Sequence, residues 1–230
     1  GGMGEVRKVK DNELNRTLAM KIIHPNLLKH KSALARFMEE AKVGAQLQHP
    51  NIVPVHEIGE LPDGRFYFTM KEIKGTEFTD LINDVHKVST EDRWRTTEKG
   101  TTFRRLIQIF HTMCETMAFA HSLGVVHRDL KPENVMIGGF GEVLVVDWGI
   151  AKVLGSLITE EEEIVETNQT MATRMGMVAG TPAYMAPEQA HGRIDQVSTC
   201  SDIYTLGAIL YEILSGKPPY TGKSAIEILE

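Results

Sequence analysis

Residues 127–149, HRDLKPENVMIGGFGEVLVVDWG, put four side chains of complementary chemistry on one short stretch. Asp129 can accept a hydroxyl proton, and Lys131 can hold an anionic phosphate. Asn134 and Asp147 offer the hard oxygen ligands that magnesium prefers. Together these groups suit a phosphoryl transfer. Between the last two, residues 135–137 and 143–146 read as short buried strands turned by Gly138-Gly139-Phe140-Gly141. The two candidate metal ligands are therefore expected at opposite ends of one rigid hairpin.

The preceding segments read as a support for this stretch. Residues 17–23, TLAMKII, form an apolar strand interrupted by Lys21, and a charge in such a strand needs a partner. Leu34, Phe37, Met38 and Ala41 recur at helical spacing and set Glu40 at the edge of a buried face, with Ser32 as the expected cap. Two strand-like runs follow, HPNIVPVHEIG and RFYFTMK, joined by a Leu61-Pro62-Asp63-Gly64 turn. Residues 83–102 are polar and unperiodic, which predicts an extended loop or partly disordered insert, with Trp94 anchoring it to the body. Phe103, Leu106, Ile107, Phe110, Met113, Cys114 and Met117 then keep the helical period until Gly124. Ile203, Leu206, Ile209, Leu210 and Ile213 form another buried stripe, ended by Lys217-Pro218-Pro219-Tyr220.

The spelling H-R-D-L-x-x-x-N is met in full by His127, Arg128, Asp129, Leu130 and Asn134, and in this the chain resembles the Ser/Thr protein kinases. GGMGEV and GTPAYMAPEQA are similar to the bacterial, eukaryotic-like (Hanks-type) branch, and the resemblance spans nearly all of the 230 residues. It implies a two-lobed α+β fold, with a β-rich N-lobe over residues 1–69, a hinge at 70–74 and a more helical C-lobe over 75–230 that holds an activation segment at 147–188. It further implies ATP and magnesium as cofactors. Gly1, Gly2, Met3 and Gly4 would bring the backbone close to phosphates, and Lys21, paired with Glu40, would grip the α and β phosphates. Val6, Ala19 and Met136 would sandwich adenine, Met70 would guard the back of the pocket, Lys71 to Ile73 would meet adenine through the backbone, and Glu77 would contact ribose. Asn134 and Asp147 would hold the metal. Asp129, Lys131 and Thr181 would carry catalysis, and the last two imply a Ser/Thr rather than Tyr preference. Asp202 and Gly207 in SDIYTLG would belong to the helix that supports the catalytic loop from below. Trp148 stands where related kinases have phenylalanine, and its bulk is expected to be housed against Gly44, one turn after Glu40.

The implied activity is transfer of the ATP γ-phosphate to Ser/Thr hydroxyls of protein substrates in signal transduction. Phosphorylation of Thr170 or Thr173 in trans, through self-association, would regulate it. A pseudokinase or ATP-binding scaffold is the first alternative, disfavoured because Lys21, Asp129 and Asp147 are all present; a small-molecule phosphotransferase of kinase-like fold ranks lower. A net charge of −6 without a basic stripe argues against nucleic acid. Two distant cysteines suit a reducing cytosol, and no long apolar run marks a membrane span, so a cytoplasmic domain is expected. The chain begins inside its glycine motif and ends on an unfinished amphipathic pattern, which reads as an excerpt of a longer protein that an outside segment could anchor to a membrane.

Overall fold

The strand that carries Lys21 is central to the first sheet. In the computed structural model, which describes residues 3–90, 92–148, 152–153, 182–222, 224 and 227–228, β2 (Arg16–Ile23) lies between β1 (Gly4–Asp11) and β4 (Phe66–Lys71). β3 (Val55–Glu60) completes an antiparallel sheet of order β1-β2-β4-β3. Leu18, Ile22 and Ile23 are buried, so the apolar run is explained by two paired neighbours and a covered face. That cover is α1 (Lys31–Gln46), which sets Phe37 against Phe68 with ring centres 5.1 Å apart. Ile23, Phe37, Ala41 and Phe68 form a small apolar cluster there. The helix begins at His30, whose side chain makes no capping bond, so Ser32 lies inside the first turn rather than capping it.

The remaining elements build a larger, mainly helical part. β5 (Gly75–Glu77) runs directly into α2 (Phe78–Val88), so the helix absorbs residues 83–88 of the stretch expected to be loop. Phe78, Leu81, Ile82 and Val85 are buried and give that helix an apolar face, which the polar residues between them obscure in the sequence. Trp94 does anchor the following loop: its ring stacks on Phe103 at 4.1 Å and meets His86 edge-on at 5.0 Å. α3 (Phe103–Ser122) opens on Thr102, whose hydroxyl accepts the Arg105 N–H at 3.2 Å. It buries Leu106, Ile109, Met113, Met117 and Ala120, and each large apolar side chain among them contributes about 1.5–3 kcal/mol through burial.

After α3 come β6 (Val125–Val126), β7 (Val135–Gly138) and β8 (Val143–Val145). The latter two join β5 in an antiparallel sheet of order β5-β7-β8, and β6 pairs with β9 (Lys152–Val153). The short α4 (Pro187–Ala190) precedes α5 (Thr199–Ser215). Leu206, Ile209 and Ile213 of α5 join the large core, whereas Ile203 is 57% exposed and belongs to the outer face instead of the buried stripe. The helix ends at Gly216, before the prolines, with φ at +75° and its N–H on the Glu212 carbonyl at 2.7 Å. A side chain there would also strike His86, since a Cβ would lie 2.7 Å from Nδ1. The architecture is α+β, as the sequence implied.

Candidate active site

The apolar β7–β8 hairpin positions both candidate metal ligands. Pairing of Val135 with Val145 folds its two ends together, so Asn134 and Asp147 sit side by side at the open end rather than at opposite ends. The Val146 N–H donates to the Asn134 carbonyl at 2.9 Å and fixes that neighbourhood. Asn134 is buried, and its Nδ2 donates to the Asp129 carbonyl at 2.8 Å, which commits the nitrogen and leaves Oδ1 as the atom chemically suited to a hard cation. Asp147 holds φ at +64°, a left-handed conformation that an aspartate adopts at a cost of about 1–3 kcal/mol unless its surroundings dictate it. Among the described residues no group of three His, Cys, Asp or Glu could hold a metal alone. An amide oxygen plus a carboxylate fits a magnesium ion whose other ligands are phosphate oxygens and water.

The loop before this hairpin is held from beneath by a buried carboxylate. Asp202 on α5 accepts the His127 N–H at 2.9 Å on one oxygen and the Arg128 N–H at 3.0 Å on the other. His121, at the end of α3, approaches the same carboxylate through Nε2 at 2.8 Å. Arg128 also has a left-handed φ, +69°, so these bonds stabilise a turn that the chain would otherwise avoid. The ring of His127 accepts the Asp129 N–H on Nδ1 at 3.3 Å and meets the Val146 carbonyl through Nε2 at 3.2 Å. One imidazole thereby connects the loop to the hairpin. Lys131 Nζ lies 3.4 Å from Asp129 Oδ2, which puts the candidate proton acceptor and the candidate phosphate-binding cation on one patch.

Across from this patch, Lys21 Nζ meets Glu40 at 2.5 and 2.7 Å, on the two carboxylate oxygens, with both side chains largely buried. Burial pushes the Glu40 carboxyl up; Lys21 opposes that rise and the Asp147 carboxylate adds to it, which places Asp147 within electrostatic reach of the pair. Val6, Ala19, Met70, Lys71 and Ile73 line one cavity of about 260 Å³ beside the same sheet. Met70 and Lys71 still belong to β4, paired with Ala19 and Leu18. Met136 and Glu77 are not part of that lining; they face each other in the β5–β7 pairing, because β7 lies in the second sheet. Met3 offers its carbonyl to the His24 N–H, and a Cβ at Gly4 would lie 2.5 Å from the Ile22 carbonyl oxygen, so close strand packing also requires that glycine. Gly1, Gly2, Thr170, Thr173 and Thr181 lie outside the described residues.

The protein kinase domain family matches residues 1–230. The chain belongs to the protein kinase domain family. Among its relatives, serine/threonine-protein kinase PknD of Protochlamydia amoebophila is 41% identical over 96% of this chain and 22% of its own length. Serine/threonine-protein kinase PknB of Mycobacterium tuberculosis is 35% identical over 99% of this chain and 33% of its own. PknD of Chlamydia pneumoniae is 36% identical over the whole chain and 24% of its own length. This kinase domain thus spans about a fifth to a third of the relatives it matches.

Several residues that hold the kinase domain's site together were given no role from the sequence. Gln189 on α4 donates to the Arg128 carbonyl at 2.7 Å, tying the region after the long loop to the catalytic loop. Thr205 Oγ1 donates to the Tyr184 carbonyl at 3.0 Å, and the Tyr184 hydroxyl donates to Glu212 at 2.6 Å. Burial pushes both the Tyr184 hydroxyl and the Glu212 carboxyl up, and Glu133 raises both further. One oxygen of that Glu133 carboxylate is buried without a hydrogen-bond partner. Glu188 is met by the Ser201 hydroxyl. In the sequence these contacts have one trace: Ser201, Asp202, Thr205 and Glu212 are polar residues at core-facing positions of an apolar helix.

Trp148 and Gly44 do not meet as expected. A Cβ at Gly44 would lie 2.7 Å from Val55 Cγ2 and within 4 Å of no Trp148 atom, because β3 fills the space beside α1. Trp148 is buried against His127 instead, with ring centres 4.6 Å apart. Gly44→Leu is still expected to destabilise the domain by about 1–3 kcal/mol through overpacking, now against Val55. Combining it with Val55→Ala should recover part of the loss in a melting experiment, whereas a Trp148 substitution should not; the reverse result would reinstate the Trp148 contact.

Proposed function

We propose that this domain transfers the γ-phosphate of ATP to serine and threonine hydroxyls of protein acceptors. The observation that carries the reading is the chain of bonds from Asp129 through Asn134 to Val146, which holds a proton acceptor beside two oxygen ligands. Asp129 orients the acceptor hydroxyl and takes its proton as the oxygen bonds to phosphorus and ADP leaves; Lys131 steadies the phosphoryl group in transit. Lys21, held by Glu40, grips the α and β phosphates, and Met3 and Gly4 bring the backbone near them. Asn134 and Asp147 hold magnesium, which supplies neutralisation of phosphate charge. Adenine enters the cavity lined by Val6, Ala19 and Met70, meets the backbone of Lys71 to Ile73 and is closed by Met136, with Glu77 on ribose. In this reading residues 70–74 act as the hinge between lobes over 1–69 and 75–230. Thr181 supports the Ser/Thr preference, and phosphorylation of Thr170 or Thr173 by a second copy regulates the segment 147–188. No helix among the described residues is long and apolar enough to cross a membrane.

Asp147→Asn tests the metal assignment. A neutral amide binds magnesium more weakly, and cation charge stabilisation is worth several kcal/mol, so turnover should fall about a hundred-fold or more. Equal turnover of both proteins at saturating magnesium would remove Asp147 from that role.

A further inference from the structure

An ion pair crosses the cavity beside the first sheet. Among the described residues β1 pairs with β2 alone, at the edge of that sheet. Val6 stands opposite Lys21, and Lys8 stands opposite Ala19, which in turn stands opposite Met70. Val6 and Lys8 therefore share the face that lines the cavity, with Lys8 two residues further from Gly4. The lysine puts a cation at the end of a mostly apolar wall. Its Nζ reaches past β2 to Oε1 of Glu72, 2.8 Å away, on the segment that leaves β4. Glu72 also lines the cavity, and its other oxygen lies 3.6 Å from Lys74 Nζ. The hydrogen bond from Lys8, with Lys74 beside it, holds the Glu72 carboxyl below the usual carboxylate range, so the pair stays charged at neutral pH.

We infer that Lys8 and Glu72 form a strap over the outer end of this cavity and set how long a nucleotide stays in it. With the pair formed, β1 is joined to the rest of the sheet through β2 and again through Glu72, and the lysine stem covers the opening between them. A base leaves by parting the pair or by β1 lifting away from Glu72, and either route breaks the bond. Lys8 is 64% exposed and Glu72 21%, so the effect is that of a surface pair, a few-fold and weakened by salt. The strap rests on the reading of this cavity as the adenine site.

Stopped-flow displacement of ADP carrying a fluorescent N-methylanthraniloyl group, with magnesium present, reads the release rate directly. Lys8→Met keeps the stem and removes the charge, and Glu72→Gln keeps the shape of its partner. Each is expected to release the nucleotide about two- to five-fold faster than the parent. The double variant should be no faster than either single one, because both remove the same bond. Raising salt from about 0.05 to 0.5 M should close the gap between the parent and Lys8→Met, which general loosening of β1 would not do. Release rates equal to the parent's in both single variants, effects that add in the double variant, or a gap that salt leaves open each overturn the strap. Val6→Trp tests the underlying reading separately, since a bulky ring on the cavity wall should weaken ADP binding about ten-fold or more. If Val6→Trp binds ADP as the parent does, adenine does not occupy this cavity, and the reading and the strap fail together. Weakened binding there, with unchanged release in Lys8→Met and Glu72→Gln, sinks the strap alone.

Discussion

Asp129→Asn is expected to lower kcat by roughly 10²- to 10⁴-fold, the usual share of a positioned general base. The substitution keeps the side chain's shape and its place beside Lys131 but removes the proton-accepting charge. KM for ATP should move little, because Asp129 is outside the cavity that Val6, Ala19 and Met70 line. Stability should also hold: the Asp129–Lys131 pair is partly solvent-exposed, and pairs of that kind contribute about 0–1 kcal/mol. Loss of turnover with intact nucleotide binding and an unchanged melting temperature is therefore the signature. A variant that keeps more than a tenth of the parent kcat would deny Asp129 this role.

Asp202→Ala should show the opposite pattern, a fold-level defect that reaches the chemistry. The substitution removes the acceptor for the His127 and Arg128 backbone N–H groups and for His121 at one stroke. Each buried donor left without a partner costs about 1–3 kcal/mol, so a total of about 3–5 kcal/mol is expected. At about 2–4 °C per kcal/mol for a chain of this size, the melting temperature falls by about 6–20 °C. Turnover falls as well, because the left-handed turn at Arg128 relaxes and carries Asp129 away from Asn134. His121→Ala removes one of the three bonds and leaves both backbone donors satisfied, so its effect should be much smaller. Melting of the Asp202 variant within 2 °C of the parent would show that the loop supports itself.

The sequence made the local devices legible. The β7–β8 hairpin, the Lys21 strand and the Glu40 helix follow from apolar runs and helical spacing, and their partners lie within one or two elements. The bond between Lys21 and Glu40 was readable because a charge in an apolar strand demands an opposite charge nearby. Contacts between distant segments were harder. Gln189 on Arg128 spans 61 positions and His121 on Asp202 spans 81, and neither residue type at those positions announces a partner. The hairpin was read correctly while its consequence was not: antiparallel pairing unites Asn134 and Asp147, whereas their separation along the chain suggested opposite ends. The Gly44 expectation failed because it weighed two residues without β3, whose Val55 occupies the space. Ile203 kept the helical period of the buried stripe, yet it lies at the stripe's margin, where spacing alone does not separate covered from open positions.

The most direct measurement is mass-spectrometric mapping of phosphate transferred from ATP to a mixed peptide library containing serine, threonine and tyrosine acceptors, with magnesium present and with Asp129→Asn run beside the parent. The account predicts phosphate on serine and threonine, and at least a hundred-fold less with the variant. ATP binding without transfer to any peptide, or equal labelling by both proteins, would contradict it and favour a nucleotide-binding scaffold.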